Sequence, residues 1–400
     1  MKVALVTHII PPMWSGNPVM LARIFGGLDP ESYVVVSRMR PESIAAEHVA
    51  MRPLPARHHH VPPGLPLMHR GVLGRGMLRE RVSIPLGILV RARRIARIAR
   101  LENCGAIIAC SGGEDLLDIP AAYLASRMLG VRFYPWLFDH YEQMWAHAEH
   151  LFKHSRTWPA IARMVRRVMR GATSVIAPNE FMANVVRERY GVGASIVRNP
   201  ADLAAYEAPG EEPPLDGGEL RIVFMGAIYE AHYDAFRTLV AALALPGAPA
   251  RLHVYTALAP EKLAAQGIAG AVTFHPHLAV DEVPPVQRAA DVLFLPLAFE
   301  SPFPELVRTS SPGKFGEYLG AGRPILAHVP ADSFVAWYLR RHESGLVVDE
   351  RDPTVLRAAI DRLATDRELR GGLARNAWER AMEDFEVSRV RASLRALVGF

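Results

Sequence analysis

Lys314 and Glu317 stand three residues apart within 310–326, which reads SSPGKFGEYLGAGRPIL, so a helix through them carries both on one face about a turn apart. Ser310 or Ser311 suits an N-cap and Pro312 a first helical turn, which predicts a helix starting here with its unpaired N–H groups outward. Such an end attracts phosphate through those donors and the helix dipole, and Lys314 adds a positive charge. A carboxylate at Glu317 can accept hydrogen bonds from both hydroxyls of a ribose. One helical turn is therefore expected to hold a nucleoside diphosphate, with Gly320 and Gly322 ending the helix. The pair alone is also what an ordinary surface ion pair looks like. Three flanking features favour the ligand: the preceding strand Val292–Leu295, the long intervening loop, and a place at the carboxyl end of a parallel strand, where open α/β sheets bind ligands.

A second candidate is Phe138-Asp139-His140-Tyr141, which follows the predicted strand Arg132–Leu137. Asp139 or His140 can orient or deprotonate a hydroxyl there. His58-His59-His60 suggests metal at first sight, but consecutive residues do not converge like an i, i+4 pair, and a solvated loop is expected instead. Ser111-Gly112-Gly113 follows the strand Ala106–Cys110 without completing a G-x-G-x-x-G fingerprint, and no Walker loop occurs, which argues against hydride transfer and P-loop hydrolysis.

The elements that must position these residues alternate short β-branched runs with longer amphipathic stretches, the mark of βαβ units and parallel sheets. Strands are predicted at Val3–Thr7, Tyr33–Ser37, Ala106–Cys110, Arg132–Leu137 and Ser174–Ala177, then at Arg221–Met225, Arg251–Tyr255, Val272–His275, Val292–Leu295, Pro324–Ala327 and Gly345–Val348. Helices are predicted at Ala235–Leu245 and Pro353–Thr365. The fold class is α/β with two Rossmann-like domains, 1–202 and 219–385, joined by a Pro/Gly/Glu-rich linker at 203–218 and followed by a C-terminal helix at 386–400. The Pro-, Gly- and His-rich segment 58–76 reads as a long loop. A length of 400 residues, half of them hydrophobic, excludes disordered and collagen-like classes. Two cysteines, Cys104 and Cys110, exclude a disulfide framework and suit a reducing compartment.

In order along the chain, A-D-V-L-F-L-P at 290–296, P-x-K-x-x-E-Y-L-x-A-G-R-P-I-L at 312–326 and S-G-L-V-V at 344–348 resemble the donor half of GT-B glycosyltransferases, close to family 4. The stretches 172–180, 198–202 and 222–226, and the C-terminal helix with Phe385 before it, resemble further family segments. The resemblance implies domains facing across a cleft, a helix crossing back to the first domain, and transfer of a sugar from a nucleoside-diphosphate sugar, a UDP sugar, to a hydroxyl of a glycan or lipid-linked acceptor. It also implies retention of configuration and no metal or other cofactor. Glu317 corresponds to the second glutamate of an E-x7-E motif, and Thr309 stands where the first would be, with Glu300 and Glu305 nearby but out of register. After Gly226 the family offers an arginine and a lysine to the diphosphate, whereas this chain reads Ala227-Ile228-Tyr229-Glu230-Ala231-His232. Neutralisation then falls to Lys314, Arg308 and the backbone around Thr309, Ser310, Ser311, Gly226 and Ala227. By position, Ser15-Gly16-Asn17 corresponds to an acceptor or phosphate loop, and Pro276-His277 to the place of the nucleobase. Within the same fold the alternatives are a sugar-nucleotide epimerase and a non-catalytic sugar-nucleotide-binding scaffold.

The net charge of +5 divides unevenly. Residues 1–200 carry 26 basic and 14 acidic side chains, and residues 201–400 carry 20 and 27. From Arg70 to Arg100 nine arginines face one acid, Glu80, and a second cluster runs from Lys153 to Arg170. Basic amphipathic helices of this kind lie on anionic membranes, which predicts a peripheral contact through Arg70–Arg100 at the inner face of the cell membrane. The short apolar opening and the lack of a long apolar run predict a cytoplasmic protein. Nucleic acid is not expected, since no binding motif accompanies the charge.

Overall fold

The computed structural model describes residues 1–11, 13, 16–44, 52–62, 82–111, 116–139, 141, 158–210 and 219–400. Ser15, His140, Gly112, Gly113 and the arginines from Arg70 to Arg81 lie outside them. Contacts divide the chain into two units, Met1–Arg198 with Val390–Phe400, and Asn199–Arg389.

The first unit runs β1 (Lys2–Thr7), α1 (Gly16–Phe25), β2 (Tyr33–Ser37), β3 (Arg57–His60), α2 (Ile84–Leu101), β4 (Cys104–Cys110), α3 (Asp118–Leu129), β5 (Arg132–Trp136), α4 (Trp158–Arg170), β6 (Val175–Ala177), α5 (Glu180–Tyr190) and β7 (Ala194–Ile196). Its seven strands are parallel in the order β3-β2-β1-β4-β5-β6-β7. Alternation along β1 sends Ala4 and Val6 to one core with Ile88, Ile95, Ile119 and Val165, and Val3 and Leu5 to another with Leu21, Ile24, Leu394 and Val398. Both faces are covered, which is why β1 and β2 read as continuous apolar runs.

Three expectations change here. His58, His59 and His60 belong to the edge strand β3 and not to a loop. Each ring has its own partner: the Leu54 carbonyl at 3.2 Å, Glu102 at 2.9 Å and the Arg38 carbonyl at 3.0 Å. Glu102 also takes Lys2 and Arg57, both at 2.9 Å, and Lys2 first among them holds its carboxyl down at about 2. A four-residue polar edge strand is thus pinned by one carboxylate rather than by apolar pairing. Second, the apolar stripe of α2, including Ile84, Ile88 and Ile95, is buried in the core, and Arg91 is buried against Asp118 at 2.7 Å. That stripe therefore does not insert into a membrane. Third, Gly16 and Asn17 open helix α1 instead of forming a loop. Among the described residues no helix is long and apolar enough to cross a membrane.

The second unit runs β8 (Leu220–Met225), α6 (Tyr233–Leu243), β9 (Ala250–Tyr255), α7 (Pro260–Ala264), β10 (Val272–His275), α8 (Val283–Arg288), β11 (Val292–Pro296), α9 (Pro304–Thr309), α10 (Phe315–Gly320), β12 (Ile325–His328), α11 (Phe334–Arg341), β13 (Leu346–Val348), α12 (Pro353–Thr365) and α13 (Arg367–Arg380). A last helix, α14 (Val387–Val398), starts in this unit and ends in the first. The six parallel strands follow the order β10-β9-β8-β11-β12-β13, so β8 and β11, whose loops carry the candidate residues, lie side by side. Residues 199–207 are fastened to this unit. Ala201 N donates to Phe385 O at 2.8 Å, Val387 N to Ala201 O at 3.1 Å, and Tyr206 Oη to Gln287 Oε1 at 2.9 Å.

Candidate functional site

The carboxyl end of β8 meets the amino end of α10. Met225 N donates to the Tyr318 hydroxyl at 3.1 Å, which ties the last residue of the strand to the helix. Lys314, the N-cap residue of α10, turns its ammonium onto the Phe224 ring, 3.7 Å from the centroid. Gly226 makes this possible twice over. Its φ of +115° is one that side chains rarely adopt, and a Cβ there would stand 3.2 Å from Lys314 Nζ. Lys314 has no ion pair or hydrogen-bond partner among the described residues. An aromatic face offers a cation only about 0.5–2 kcal/mol, little against the loss of water. Burial accordingly pulls the ammonium pKa from 10.5 down to about 7, while Glu317, one turn on, works the other way.

His232 completes the corner. It is 6% exposed, meets Phe224 edge-on at 6.1 Å and Tyr229 at 4.4 Å, and its Nδ1 has no hydrogen-bond partner. Burial first, and the Lys314 charge second, hold its pKa down to about 3, so the ring is neutral. Ser311 Oγ is likewise inaccessible and without a partner, while its carbonyl accepts from Asn199 Nδ2 at 2.7 Å. Buried polar groups are ordinarily paired. An ammonium with no ion pair among the described residues, beside a neutral imidazole and a glycine turn, can attract an anion.

Neighbouring loops are laced to this corner. Ala298 N donates to Ala231 O at 2.7 Å, and Leu297 N to His328 O at 3.0 Å. Asp234 Oδ2 accepts from Phe299 N and Glu300 N, both at 2.8 Å, which fixes the loop after β11 against the start of α6. Sequence reasoning missed Asp234, for which an acidic first turn is the only signal. It also counted His232 as a missing cation and not as a ligand.

The helix itself begins later than expected. Ser310 N bonds to Val307 O at 3.2 Å and so closes α9, and Phe315 N bonds to Pro312 O at 2.9 Å, so α10 opens at Phe315 with Lys314 as its N-cap and no serine cap. The six residues of α10 leave Glu317 in its first turn, half-buried. Thr309 spends its hydroxyl within its own helix, donating to Glu305 O at 2.8 Å. Arg308 sits in the last turn of α9 and forms no ion pair with a described residue. Glu300 pairs with Arg351 at 2.5 Å. Ala227 is exposed just past the Gly226 turn. Pro276 and His277 are exposed beyond the edge strand β10, next to His275, which stacks on Tyr255 at 4.3 Å and bonds His253 at 3.0 Å. In the first unit, Asp139 follows β5, its carboxyl pushed up by burial, in a turn where Phe138 N donates to Ser111 Oγ at 2.8 Å. Gly16 and Asn17 are placed at the start of α1, with open space where a Gly16 side chain would be.

Residues 219–366, which hold this corner, match the family of glycosyl transferases group 1. The rest of the chain is compared through its fold. HepE from Anabaena, solved in complex with UDP, superposes with a TM-score of 0.66 at 16% identity over 100% of both chains. Sucrose-phosphate synthase from Thermosynechococcus elongatus gives 0.67 at 15% identity, over 99% of this chain and 98% of its own. The lipopolysaccharide outer core galactosyltransferase WaaB gives 0.63 at 14%, over 100% and 99%. The transferase thus has the GT-B fold. No curated protein sequence is close enough to the chain to count as a match.

Proposed function

We propose that the enzyme transfers a sugar from a UDP sugar to a hydroxyl of a glycan or lipid-linked acceptor, with retention of configuration. The observation that carries this reading is the Lys314 ammonium, half-buried against the Gly226 turn with the Phe224 ring for its partner. In this reading the diphosphate enters that corner. Lys314 counters the charge that grows on the departing diphosphate, and His232, in its Nδ1–H tautomer, and Ser311 donate to its oxygens. Glu317 accepts from the ribose hydroxyls, and the base lies towards Pro276 and His277. Arg308 and the backbone of Thr309 and Ser310 line the approach. Catalysis rests on positioning and on stabilising the leaving group, without a metal. Asp139 or His140 orients the acceptor hydroxyl, and Ser15, with Gly16 and Asn17 at the start of α1, contacts the acceptor or the phosphates. The complexes of HepE with UDP and with UDP-glucose support the choice of donor, and WaaB, a lipopolysaccharide outer core galactosyltransferase, supports that of acceptor.

UDP release measured over a panel of UDP sugars and acceptors tests the reading. Release is expected only with an acceptor. It is expected to fall about 10²–10³-fold in Lys314→Ala, with a comparable loss in Glu317→Ala, while melting stays that of a folded protein. Turnover of donor alone would point to an epimerase, and nucleotide binding without turnover to a scaffold; either overturns it.

A further inference from the structure

Helix α4 places Arg163, Arg166, Arg167 and Arg170 on one face, and with Tyr123 and Gly171 they line an open basin of about 400 Å³. Among the described residues no acidic side chain lines it, and none of the four arginines forms an ion pair with any of them. Elsewhere in the same unit Arg91 pairs with Asp118 and Arg198 with Glu180, so among the described residues this face is set apart by its lack of carboxylates. Like charges three and four residues apart work against a helix, so the cluster is not there to stabilise α4.

The basin is also firmly seated. The opposite side of α4, with Ile161, Val165, Val168 and Met169, is buried in the core, so the basic face cannot turn inward. Arg170 Nε donates to Tyr190 O at 2.8 Å, which fixes that guanidinium and leaves its other N–H groups outward. The Tyr123 ring stands 2.3 Å from where a Gly171 Cβ would be, so the end of the helix closes directly on α3.

We infer that this basin binds a phosphate group. Guanidinium forks match the oxygens of phosphate in pairs, and several around one hollow supply charge for a group bearing more than one negative charge. The site is separate from the donor corner, which lies in the other unit. It is also separate from Asp139: Arg170 directly precedes β6, at the amino edge of the sheet, whereas Asp139 follows β5 at the carboxyl edge. The phosphate is therefore carried by a second ligand, either a lipid headgroup presented at a surface or a soluble phosphorylated compound.

Titration calorimetry of the full chain with inorganic pyrophosphate tests this, carried out in a Lys314→Ala background so that the donor corner cannot answer for the basin. Binding is expected to weaken about tenfold or more in Arg166→Gln/Arg167→Gln, two residues with no side-chain hydrogen bond to a described residue, and less in Arg166→Gln alone. Melting temperatures should not move. Sedimentation with vesicles of phosphatidylcholine, with and without phosphatidylglycerol, separates the sources. Anionic vesicles that bind and are displaced by pyrophosphate identify a lipid phosphate, and pyrophosphate binding without vesicle binding identifies a soluble one. Absence of pyrophosphate binding, or binding of either probe that is unchanged by the double substitution, overturns the site.

Discussion

The Lys314 ammonium is placed where charge is costly and one proton decides its cost. Between about 7 and the ordinary 10.5 the native chain holds this lysine neutral and the unfolded chain holds it charged. The unfolded state then binds more protons, and stability rises with pH across that window. Below 7 both states carry the proton, and the native one bears the full penalty of a buried charge. Lys314→Met removes the penalty, so the gain in melting temperature it brings should be largest below pH 7 and shrink towards 10.5. A gain that does not vary with pH would show that the ammonium is well solvated. A diphosphate beside it favours the charged form, so UDP binding should take up a proton in the same window. Lys314→Arg, permanently charged, should abolish that uptake in calorimetry run in buffers of different ionisation enthalpy. Residue type and spacing already pointed to Lys314 and Glu317. The seating of Lys314 on Phe224 and the place of His232 beside it were not legible, because Phe224 and Gly226 lie some ninety residues away in sequence and meet Lys314 only through the pairing of β8 with β11.

At the scale of elements, α10 owes its position to what lies beneath it. A Cβ on Gly316 would stand 3.0 Å from the Cβ atoms of both Ala201 and Phe385, and one on Gly320 2.4 Å from Leu203 Cδ2. Glycines four apart thus let the 201–203 segment press directly against the helix. Alanine in a helix gains about 1 kcal/mol over glycine, but overpacking costs about 1–3 kcal/mol, and the neighbouring Cβ atoms at Gly316 belong to backbone-anchored positions. Gly316→Ala should therefore destabilise the protein in denaturant melts, and Ala201→Gly should restore part of the loss. A stabilised Gly316→Ala would mean that the segment yields. Strands with apolar runs, such as β1, β8 and β11, were legible in sequence with boundaries within a residue or two. The strand β3 was not, since its residues are polar and it joins the sheet through its backbone pairing with β2, and neither was the start of α10, where Ser310 belongs to the end of the preceding helix.

For the molecule as a whole, the two halves were legible to different depths. Sequence similarity reaches residues 219–366, where the Lys314–Glu317 motif lies, while the first unit is known through its fold. The arginine-rich stretch looked alike throughout in sequence, and only the structure separates a stripe buried in the core from an open basic face. The acidic balance of residues 201–400 means that an anion at the Lys314 corner would have to rely on local donors and not on the field of its domain. The first unit depends on the far end of the chain. Leu394 and Val398 are fully buried in it, and Arg391 Nε donates to Arg23 O at 2.9 Å and Ile24 O at 3.1 Å. Leu394→Ala should cost about 2–5 kcal/mol and expose residues 1–198 to limited proteolysis, ahead of those in 199–389. Cleavage that starts in the second unit would refute that dependence.

The same helix sets the order in which the protein can be made. A chain leaving the ribosome normally folds its first domain first. Here that domain cannot close its core until residues 390–400 have been synthesised, by which point every strand of the second sheet has already emerged. The unit that comes earlier in the sequence is the last to be finished, and a chain stopped before residue 387 would carry a completed second sheet together with an open, aggregation-prone first core.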